Sequence, residues 1–255
     1  MRLEYKYLVP NESLPGLRGM LAPFVETDVH AIAYGVRGYT VRSIYFDTCA
    51  LNFYHEKLAG IKMRKKLRLR GYNDNQKRSV VFLEIKRKHA MLVTKNRAPV
   101  EYAHVHDLFD TGDVERHIPA RPDFPHASED ARRFFFYVYR NSLRPIVLTI
   151  YEREAYYSKF NSSLRITFDK KLRSSIYPAL DALFSEEKIR YSMPRHFILE
   201  VKVSGRFPWW LRSAIARLGL RQQALSKYVI GIDEHDVLNG FSRRPAASFV
   251  RLFTS

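Results

Sequence analysis

Charged and apolar residues alternate with a period of two along one stretch of the chain in particular. Residues 62–70 read KMRKKLRLR, and successive side chains of an extended strand point to opposite sides. A helix would scatter these charges around its axis, because its side chains repeat about every 3.6 residues. The stretch is therefore predicted to be a strand with one basic face, made of Lys62, Arg64, Lys66, Arg68 and Arg70.

Four further stretches pair an apolar face with a charged face in the same way. Their charged positions are Glu4 and Lys6, Glu84 and Lys86, Arg165 and Asp169, and Glu200 and Lys202. When a sheet closes into a barrel, one set of faces points inward and the other outward. With the charged faces inside, helices would cover the apolar outside. The pattern predicts an α+β fold in which an antiparallel β-barrel forms a charged tunnel with helices packed outside.

The hydrophobic pattern also predicts the order of the elements. Strands are predicted over residues 3–9, 39–47, 62–72, 80–88, 92–99, 146–157, 164–169 and 197–203. Helices are predicted from the caps at 11–13 to about 24, and over 51–58, 102–109, 129–142, 209–218 and 226–238. A hairpin turn is predicted at 73–76 and a loop at 117–126. No linker rich in Gly or Ser divides the chain, so a single domain is predicted over residues 1–255, with its core at about 3–238.

The charge balance indicates the kind of partner. The 255 residues include 43 Lys and Arg against 26 Asp and Glu, which gives a net charge of +17. A surplus of this size predicts a polyanionic partner: nucleic acid, an acidic membrane surface or a phosphate-rich small molecule. The like charges that line an empty cationic tunnel would repel one another, so the predicted fold favours a polyanion inside it. The interspersed carboxylates suit a hard divalent cation, Mg²⁺ or Mn²⁺, bound together with substrate phosphates.

Other sequence features narrow the class of protein. Cys49 is the single cysteine, so the fold cannot depend on an internal disulfide. The first residues lack the apolar core of a signal peptide, and no stretch approaches the ~20 apolar residues of a transmembrane helix. Gly71 has no Gly-rich neighbours, which excludes a P-loop. We therefore expect a cytoplasmic protein without a transmembrane segment.

Several short motifs resemble those of a known family. They are Glu4-x-Lys6, Tyr45-Phe46-Asp47, Arg68-x-Arg70, Glu84-x-Lys86, Arg153, Arg165, Glu200-x-Lys202 and Ser226-Lys227-Tyr228. In this order and spacing they resemble the VTC domain, the catalytic domain of the vacuolar transporter chaperone complex and its bacterial relatives. That domain is one of the triphosphate tunnel metalloenzymes, which also include the CYTH-type triphosphatases. The resemblance extends from about residue 3 to about residue 238.

The resemblance implies a role for individual residues. It assigns phosphate binding to Lys6, Arg68, Arg70, Lys86, Lys95, Arg153 and Arg165. Lys66 and Lys202 join this set because they share the same predicted strand faces. Glu200 matches the glutamate that binds Mn²⁺ or Mg²⁺, with Glu4 and Glu84 as further candidates. The expected catalytic residues are Arg68, Arg70, Lys86 and Lys227, of which Lys227 is expected on a helix near the tunnel mouth.

The implied activity is that of a polyphosphate polymerase. Such an enzyme transfers the γ-phosphate of ATP to a growing inorganic polyphosphate chain and releases ADP, so ATP and polyphosphate are the expected partners. CYTH-type enzymes open with Glu-x-Glu-x-Lys, but the first of these positions is Arg2 here, which favours the VTC branch.

Two alternatives remain open on the sequence. One is a CYTH-like, metal-dependent triphosphatase that hydrolyses inorganic triphosphate or nucleoside triphosphates. The other is a non-catalytic binder of polyphosphate or RNA. Specific nucleic-acid binding is not expected, because the aromatic residues fall largely within predicted strands and apolar helices and leave few rings for stacking with bases. The vacuolar proteins carry partner domains and membrane segments with no counterpart in this chain, so partner proteins are not specified.

Overall fold

The computed structural model of this chain describes residues 2–28, 38–74, 79–89, 92–119, 121–235 and 237. Within them, ten strands form one sheet in which the pairs are antiparallel. The strands are β1 (Arg2–Pro10), β2 (Val25–Thr27), β3 (Tyr39–Asp47), β4 (Met63–Tyr72), β5 (Val80–His89), β6 (Leu92–Glu101), β7 (Arg144–Ser158), β8 (Arg165–Ile176), β9 (Arg190–Tyr191) and β10 (His196–Ser204). The predicted strand-rich α+β class is therefore confirmed.

The sheet is curled but not closed. Its strand order is β1-β10-β8-β7-β3-β4-β5-β6, with β2 added to β7 and β9 to β8. Among the described residues β1 and β6 do not pair, so the closed barrel expected from the alternation is not found. The sheet nevertheless bends far enough for β5 to meet β1, since Lys86 Nζ lies 3.4 Å from Glu4 Oε2. Register shifts at Tyr45/Phe46 and Ile150/Glu152 contribute to this bend, because a β-bulge increases local twist and curvature.

The predicted helices are present, with differences at their ends, and a short helix at Val114–His117 was not predicted. They are α1 (Leu14–Leu21), α2 (Asn52–Leu58), α3 (Val105–Thr111), α4 (Val114–His117), α5 (Ala127–Arg140), α6 (Trp209–Arg217) and α7 (Lys227–Asp233). Single turns of 3₁₀ helix span Asn11–Ser13, Tyr102–His104 and Leu180–Phe184. The first predicted helix ends early because the chain turns and enters β2. Parts of the predicted hairpin turn at 73–76 and the predicted helix end at Leu238 lie outside the described residues.

The outer face of the sheet is apolar and covered by helices. Leu67 and Leu69 of β4 are fully buried against Phe134 of α5, in a cluster that also includes side chains of α2 to α4. A second cluster packs α1 and α6 on the outer side of β1, β8 and β10, where Leu17 and Leu211 are buried. The predicted division of β4 into an apolar outer face and a basic inner face is confirmed.

Helix α7 lies on the inner face, against β7 and β8. Gly231 allows this close approach, because a Cβ at that position would lie 3.1 Å from Thr149 Cγ2. Ser226 caps the helix by accepting a hydrogen bond from the Val229 N–H. The Tyr228 hydroxyl donates to the buried Asp47 carboxylate. Part of the inner face is therefore occupied by the protein itself.

Candidate polyanion-binding site

The inner face carries one continuous network of cations and carboxylates. Strand register places the members side by side: Arg68 is opposite Glu84, Lys66 opposite Lys86, and Lys6 opposite Glu200. These residues alternate with the buried apolar side chains of the outer face, so the same period that forms the core also collects the charges. The network has two centres, one around Glu84 and the other around Glu200 and Asp169.

Glu84 is surrounded by basic side chains. Its carboxylate lies 2.6 Å from Arg68 Nη2, 2.6 Å from Lys95 Nζ, 3.1 Å from Arg97 Nε and 3.8 Å from Arg70 Nη1. The side chain is only 1% exposed. Burial raises the pKa of Glu84, but Arg68, Arg70 and Lys95 outweigh it and hold that pKa far below its ordinary value. Glu84 is therefore ionised and holds four cations in place.

Hydroxyl and aromatic groups orient the arginines of this centre. Arg68 Nη1 donates to the Tyr45 hydroxyl at 3.1 Å, and Arg70 Nε donates to Ser43 Oγ at 3.1 Å. The guanidinium carbon of Arg97 lies 3.5 Å from the centre of the Phe82 ring. Burial raises the pKa of Tyr45, but Arg68 and Arg70 lower it to a net value below the ordinary one. The arginine forks are thus positioned before any ligand arrives, which suits bidentate phosphate binding.

The second centre is built around Glu200 of β10. Glu200 Oε1 lies 2.6 Å from Lys202 Nζ, while Lys6 and Lys227 are more distant at 3.9 and 4.0 Å. Burial raises the pKa of Glu200, but Lys6, Lys202 and Lys227 together lower it well below the ordinary value. Glu200 is ionised like Glu84, with a single close cation.

Asp169 of β8 joins this centre and was not assigned a site role from the sequence. Arg153 holds it with two hydrogen bonds, from Nε at 2.6 Å and Nη2 at 2.8 Å. Lys227 Nζ lies 2.5 Å from its other side. Lys227 is only 9% exposed, so the structure places it deep on the inner face rather than at an open mouth. The sequence feature that could have identified Asp169 is its position on the same strand face as Arg165 and Thr167.

Glu4 and Lys6 connect the second centre to β5. Lys6 Nζ lies 2.9 Å from Glu4 Oε1, and Lys86 Nζ lies 3.4 Å from Glu4 Oε2. Burial raises the pKa of Glu4 and the charge of Glu200 does the same, but Lys6, Lys86 and Lys202 lower it to a net value of about 2. Lys86 itself has a lowered pKa because it is buried, which Glu4 only partly offsets.

Lys66 differs from the other lysines of the inner face. Lys6, Lys86, Lys95, Lys202 and Lys227 each lie within 4.0 Å of a carboxylate. Lys66 Nζ instead donates a hydrogen bond of 2.7 Å to Ser226 Oγ, and it lies 5.7 Å from the centre of the Tyr228 ring. Burial, together with the positive charges of Lys6 and Lys86, holds the pKa of Lys66 well below its ordinary value. The amine of Lys66 is therefore available to bind an incoming anion.

Arg165 stands apart from the other residues assigned to phosphate binding. Its guanidinium donates to Asp28 Oδ2 at 2.8 Å and to the Tyr39 hydroxyl at 3.2 Å. The structure therefore brings together Lys6, Lys66, Arg68, Arg70, Lys86, Lys95, Arg153, Lys202 and Lys227, and places Arg165 beside them.

Sequence reasoning also missed Arg97 and Tyr72, and it gave no site role to Tyr45 although that residue belongs to the Tyr45-Phe46-Asp47 motif. Arg97 lies two residues after Lys95 on the same face of β6, and both contact Glu84. The sequence signal was the pair Lys95-x-Arg97. Tyr45 and Tyr72 read as ordinary strand aromatics, and their contacts with Arg68 and Arg97 arise only through strand pairing.

Glu200 and Glu4 are the carboxylates best suited to share a metal ion. Both lie within 4.0 Å of Lys6, and the charge of Glu200 raises the pKa of Glu4. Their oxygens are the hard donors that Mg²⁺ and Mn²⁺ prefer. Within the part of the chain that the structure describes, no three or more His, Cys, Asp or Glu side chains converge as a complete metal site. These residues fit such an ion if phosphate oxygens complete its coordination.

The fold and the network define the class of protein. It is an α+β protein whose curled antiparallel sheet presents a preorganised cationic face. The VTC domain family matches the chain over residues 1–234. The chain belongs to the VTC domain family, and its relation to the triphosphate tunnel enzymes is consistent with this fold. Membership supports a polyphosphate-related role in general and suggests an enzyme of the phosphotransferase type.

Other comparisons add little about the site. No curated protein matches the chain. The solved structure described as "Structure of PH1819 protein from Pyrococcus Horikoshii OT3" is 15% identical, with the match covering 90% of this chain and 97% of that one at a TM-score of 0.44. Such a similarity gives no information on individual residues. None of the described helices has the length and apolar character needed to cross a membrane.

Proposed function

We propose that the protein is a metal-dependent polyphosphate polymerase that transfers the γ-phosphate of ATP to a growing polyphosphate chain and releases ADP. The observation that carries this proposal is the extent of the cationic face. The Glu84 centre and the Glu200–Asp169 centre involve strands β1, β4, β5, β6, β7, β8 and β10. One triphosphate would not need so many cations, whereas a chain held beside a nucleotide would.

The proposed mechanism depends on positioning and charge neutralisation. Phosphoryl transfer asks little covalent chemistry of the protein, so fixed cations supply much of the catalysis. Arg68 and Arg70, already oriented by Tyr45 and Ser43, would bind the oxygens of the transferred phosphoryl group. Lys86 and Lys66 would hold the neighbouring phosphates from β4 and β5. An anionic phosphate acceptor needs no general base.

The acidic residues divide the remaining tasks. Glu200 and Glu4 would hold Mn²⁺ or Mg²⁺, which, when bound, neutralises charge on bridging phosphate oxygens. Lys6 and Lys202 bind these carboxylates and would exchange them for phosphate oxygens when substrate and metal enter. Arg153 and Lys227 are fixed by Asp169 and would bind the acceptor chain beside the nucleotide. We also propose that the curled sheet forms a tunnel around the bound polyphosphate chain.

The fate of the γ-phosphate tests the proposal. Purified protein incubated with ATP and Mn²⁺ should form ADP together with acid-labile polyphosphate that runs as a ladder on a gel. Release of orthophosphate in an amount equal to the ADP, without a ladder, would instead identify a triphosphatase. Binding of polyphosphate without any formation of ADP would identify a non-catalytic binder.

A further inference from the structure

A cluster of exposed aliphatic side chains lies where α2 leads into β4 and at the adjoining ends of β5 and β6. It consists of Leu58, Ile61, Met63, Leu92 and Val93, and we refer to it as the aliphatic patch. These side chains are between 45% and 66% exposed, in a protein whose other large aliphatic side chains are mostly buried. Single exposed apolar residues are common, but five at the same end of three adjacent strands point to a binding surface.

Strand register shows how the residues of the patch are arranged. Met63 of β4 is opposite His89 of β5, and His89 is opposite Leu92 of β6. One position further along, Arg64 is opposite Lys88, and Lys88 is opposite Val93. Successive side chains of a strand point to opposite faces, so Met63 and Leu92 lie on the outer face, whereas Val93 lies on the inner face with Arg64 and Lys88. The ends of these three strands therefore carry exposed aliphatic side chains on both faces, and bases beside them.

The surroundings of the aliphatic patch are basic throughout. Residues 57–65 and 85–95 together contain eight Lys or Arg and no Asp or Glu. Among the described bases of these segments, Lys62, Lys88 and Lys95 are exposed, and Lys62 and Lys88 have no part in the proposed reaction. An occupant that covers these strand ends must therefore offer both apolar and negatively charged groups.

We propose that the aliphatic patch docks the protein on a membrane surface that carries anionic lipids. Leu, Ile, Met and Val side chains would enter the boundary between headgroups and acyl chains, while the surrounding bases would bind lipid phosphates. A second copy of the chain is a poor occupant, because a two-fold contact would bring the two sets of bases together. Nucleic acid is also a poor occupant, because aliphatic side chains offer no rings on which bases could stack.

Vesicle binding tests this proposal independently of the reaction. The full chain should sediment with vesicles that contain phosphatidylglycerol and should not sediment with vesicles of phosphatidylcholine alone. The variant I61S/M63S/L92S should bind at least about tenfold more weakly, because it removes apolar contacts and keeps every charge. The variant K62E/K88E should lose at least about tenfold as well, since each base near an anionic surface contributes on the order of 1 kcal/mol.

A matched control comes from another exposed apolar pair. Phe160 and Trp209 are 75% and 72% exposed, and Lys159, Arg206 and Arg212 near them are also exposed. The variant F160S/W209S removes apolar surface of similar exposure and should keep full vesicle binding. Thermal unfolding should be unchanged in all three variants, because the altered side chains are exposed.

Several results would overturn the proposal. They are a failure of the unmodified chain to bind phosphatidylglycerol vesicles, equal binding to both kinds of vesicle, and loss of vesicle binding in F160S/W209S but not in the patch variants. Capture of RNA that depends on the patch, without vesicle binding, would assign the surface to nucleic acid instead.

Discussion

Glu84 and Glu200 lie on the same face of the same sheet, and both are buried and ionised. Their surroundings differ. Glu84 has three cations within 3.1 Å and a fourth at 3.8 Å. Glu200 has one close lysine at 2.6 Å, while its other two basic neighbours are at 3.9 and 4.0 Å. Glu200 also lies near other carboxylates, since the charges of Glu4 and Asp169 interact with it.

This difference separates a structural carboxylate from a candidate metal ligand. Both oxygens of Glu84 lie within 2.6 Å of a cation, and its role is to orient the arginines that would bind phosphate. Glu200 shares Lys6 with Glu4, so a divalent ion could displace a lysine and be held by two carboxylates. Of the metal candidates named from the sequence, the geometry favours Glu200 with Glu4 over Glu84.

The largest expected effect is on stability, at Glu84. Glu84→Gln leaves four cations around an uncharged, buried side chain, and removing one partner of a buried ion pair costs about 3–5 kcal/mol. Urea unfolding at neutral pH should show a loss of this size. Glu152→Gln is the control, because its partner Lys171 is 62% exposed and such surface pairs contribute about 0–1 kcal/mol. A loss at Glu84 no larger than the control would refute its structural role.

Glu200→Gln should affect turnover far more than folding. The change removes one close ion pair and the proposed metal ligand, so ADP formation in Mn²⁺ should fall by on the order of 100-fold or more. Circular dichroism and urea unfolding should show a folded protein with a smaller loss than Glu84→Gln. Full activity in Mn²⁺ would show that Glu200 is not an essential ligand.

Lys227 should distinguish binding of the acceptor from binding of ATP. Lys227→Met removes a cation from Asp169 but leaves Arg153 in place. Polyphosphate formation should slow by about tenfold or more, while the Kd for ATP should change less. Lys171→Met, at an exposed lysine, is the control. An equal loss in ATP affinity and in rate would place Lys227 at the nucleotide instead.

Lys66 should make phosphate binding dependent on pH. Its pKa lies well below the ordinary 10.5 in the free protein, and a bound phosphate would raise it, so binding takes up a proton. Groups that face it are Lys6 of β1, Lys86 of β5, Lys57 of α2, Arg68 of β4 and Tyr228 of α7. The affinity for tripolyphosphate should therefore fall as the pH rises from the pKa of Lys66 in the free protein to its pKa in the complex. The fall should be less than about tenfold per pH unit.

Calorimetry in buffers of different ionisation enthalpy measures that proton uptake directly. Lys66→Arg keeps the charge and remains protonated, so proton uptake and its share of the pH dependence should disappear. Equal proton uptake by Lys66→Arg and by the unmodified protein would show that Lys66 does not have this role. A failure of both proteins to bind tripolyphosphate would count against the proposed function itself.

The smallest effect concerns acid stability at Glu4. Its pKa is lowered from 4.5 to about 2, so the folded state holds fewer protons than the unfolded state between these values. Its contribution is fully present above pH 4.5 and is lost as pH falls towards 2. Glu4→Gln should therefore lose less stability on acidification than the unmodified protein does. Identical acid unfolding of the two proteins would contradict this assignment.

The two faces of the sheet follow from the sequence alone. Alternation with a period of two is a local property, so it identified the basic face of β4 and the apolar side that packs under α5. It also placed Glu84, Glu200, Lys6 and Lys86 on charged faces, because side-chain direction in a strand depends only on position.

The contacts between charged residues and the state of the sheet edges depend on tertiary structure and not on local pattern. The pairing of Asp169 with Lys227 and the contact of Lys66 with Ser226 join residues that are far apart in the chain. The open arrangement of β1 and β6 likewise depends on how far the sheet bends as its twist accumulates over many strands. No local pattern records that sum, so alternation could predict a curved sheet with a charged interior but not whether its edges would join.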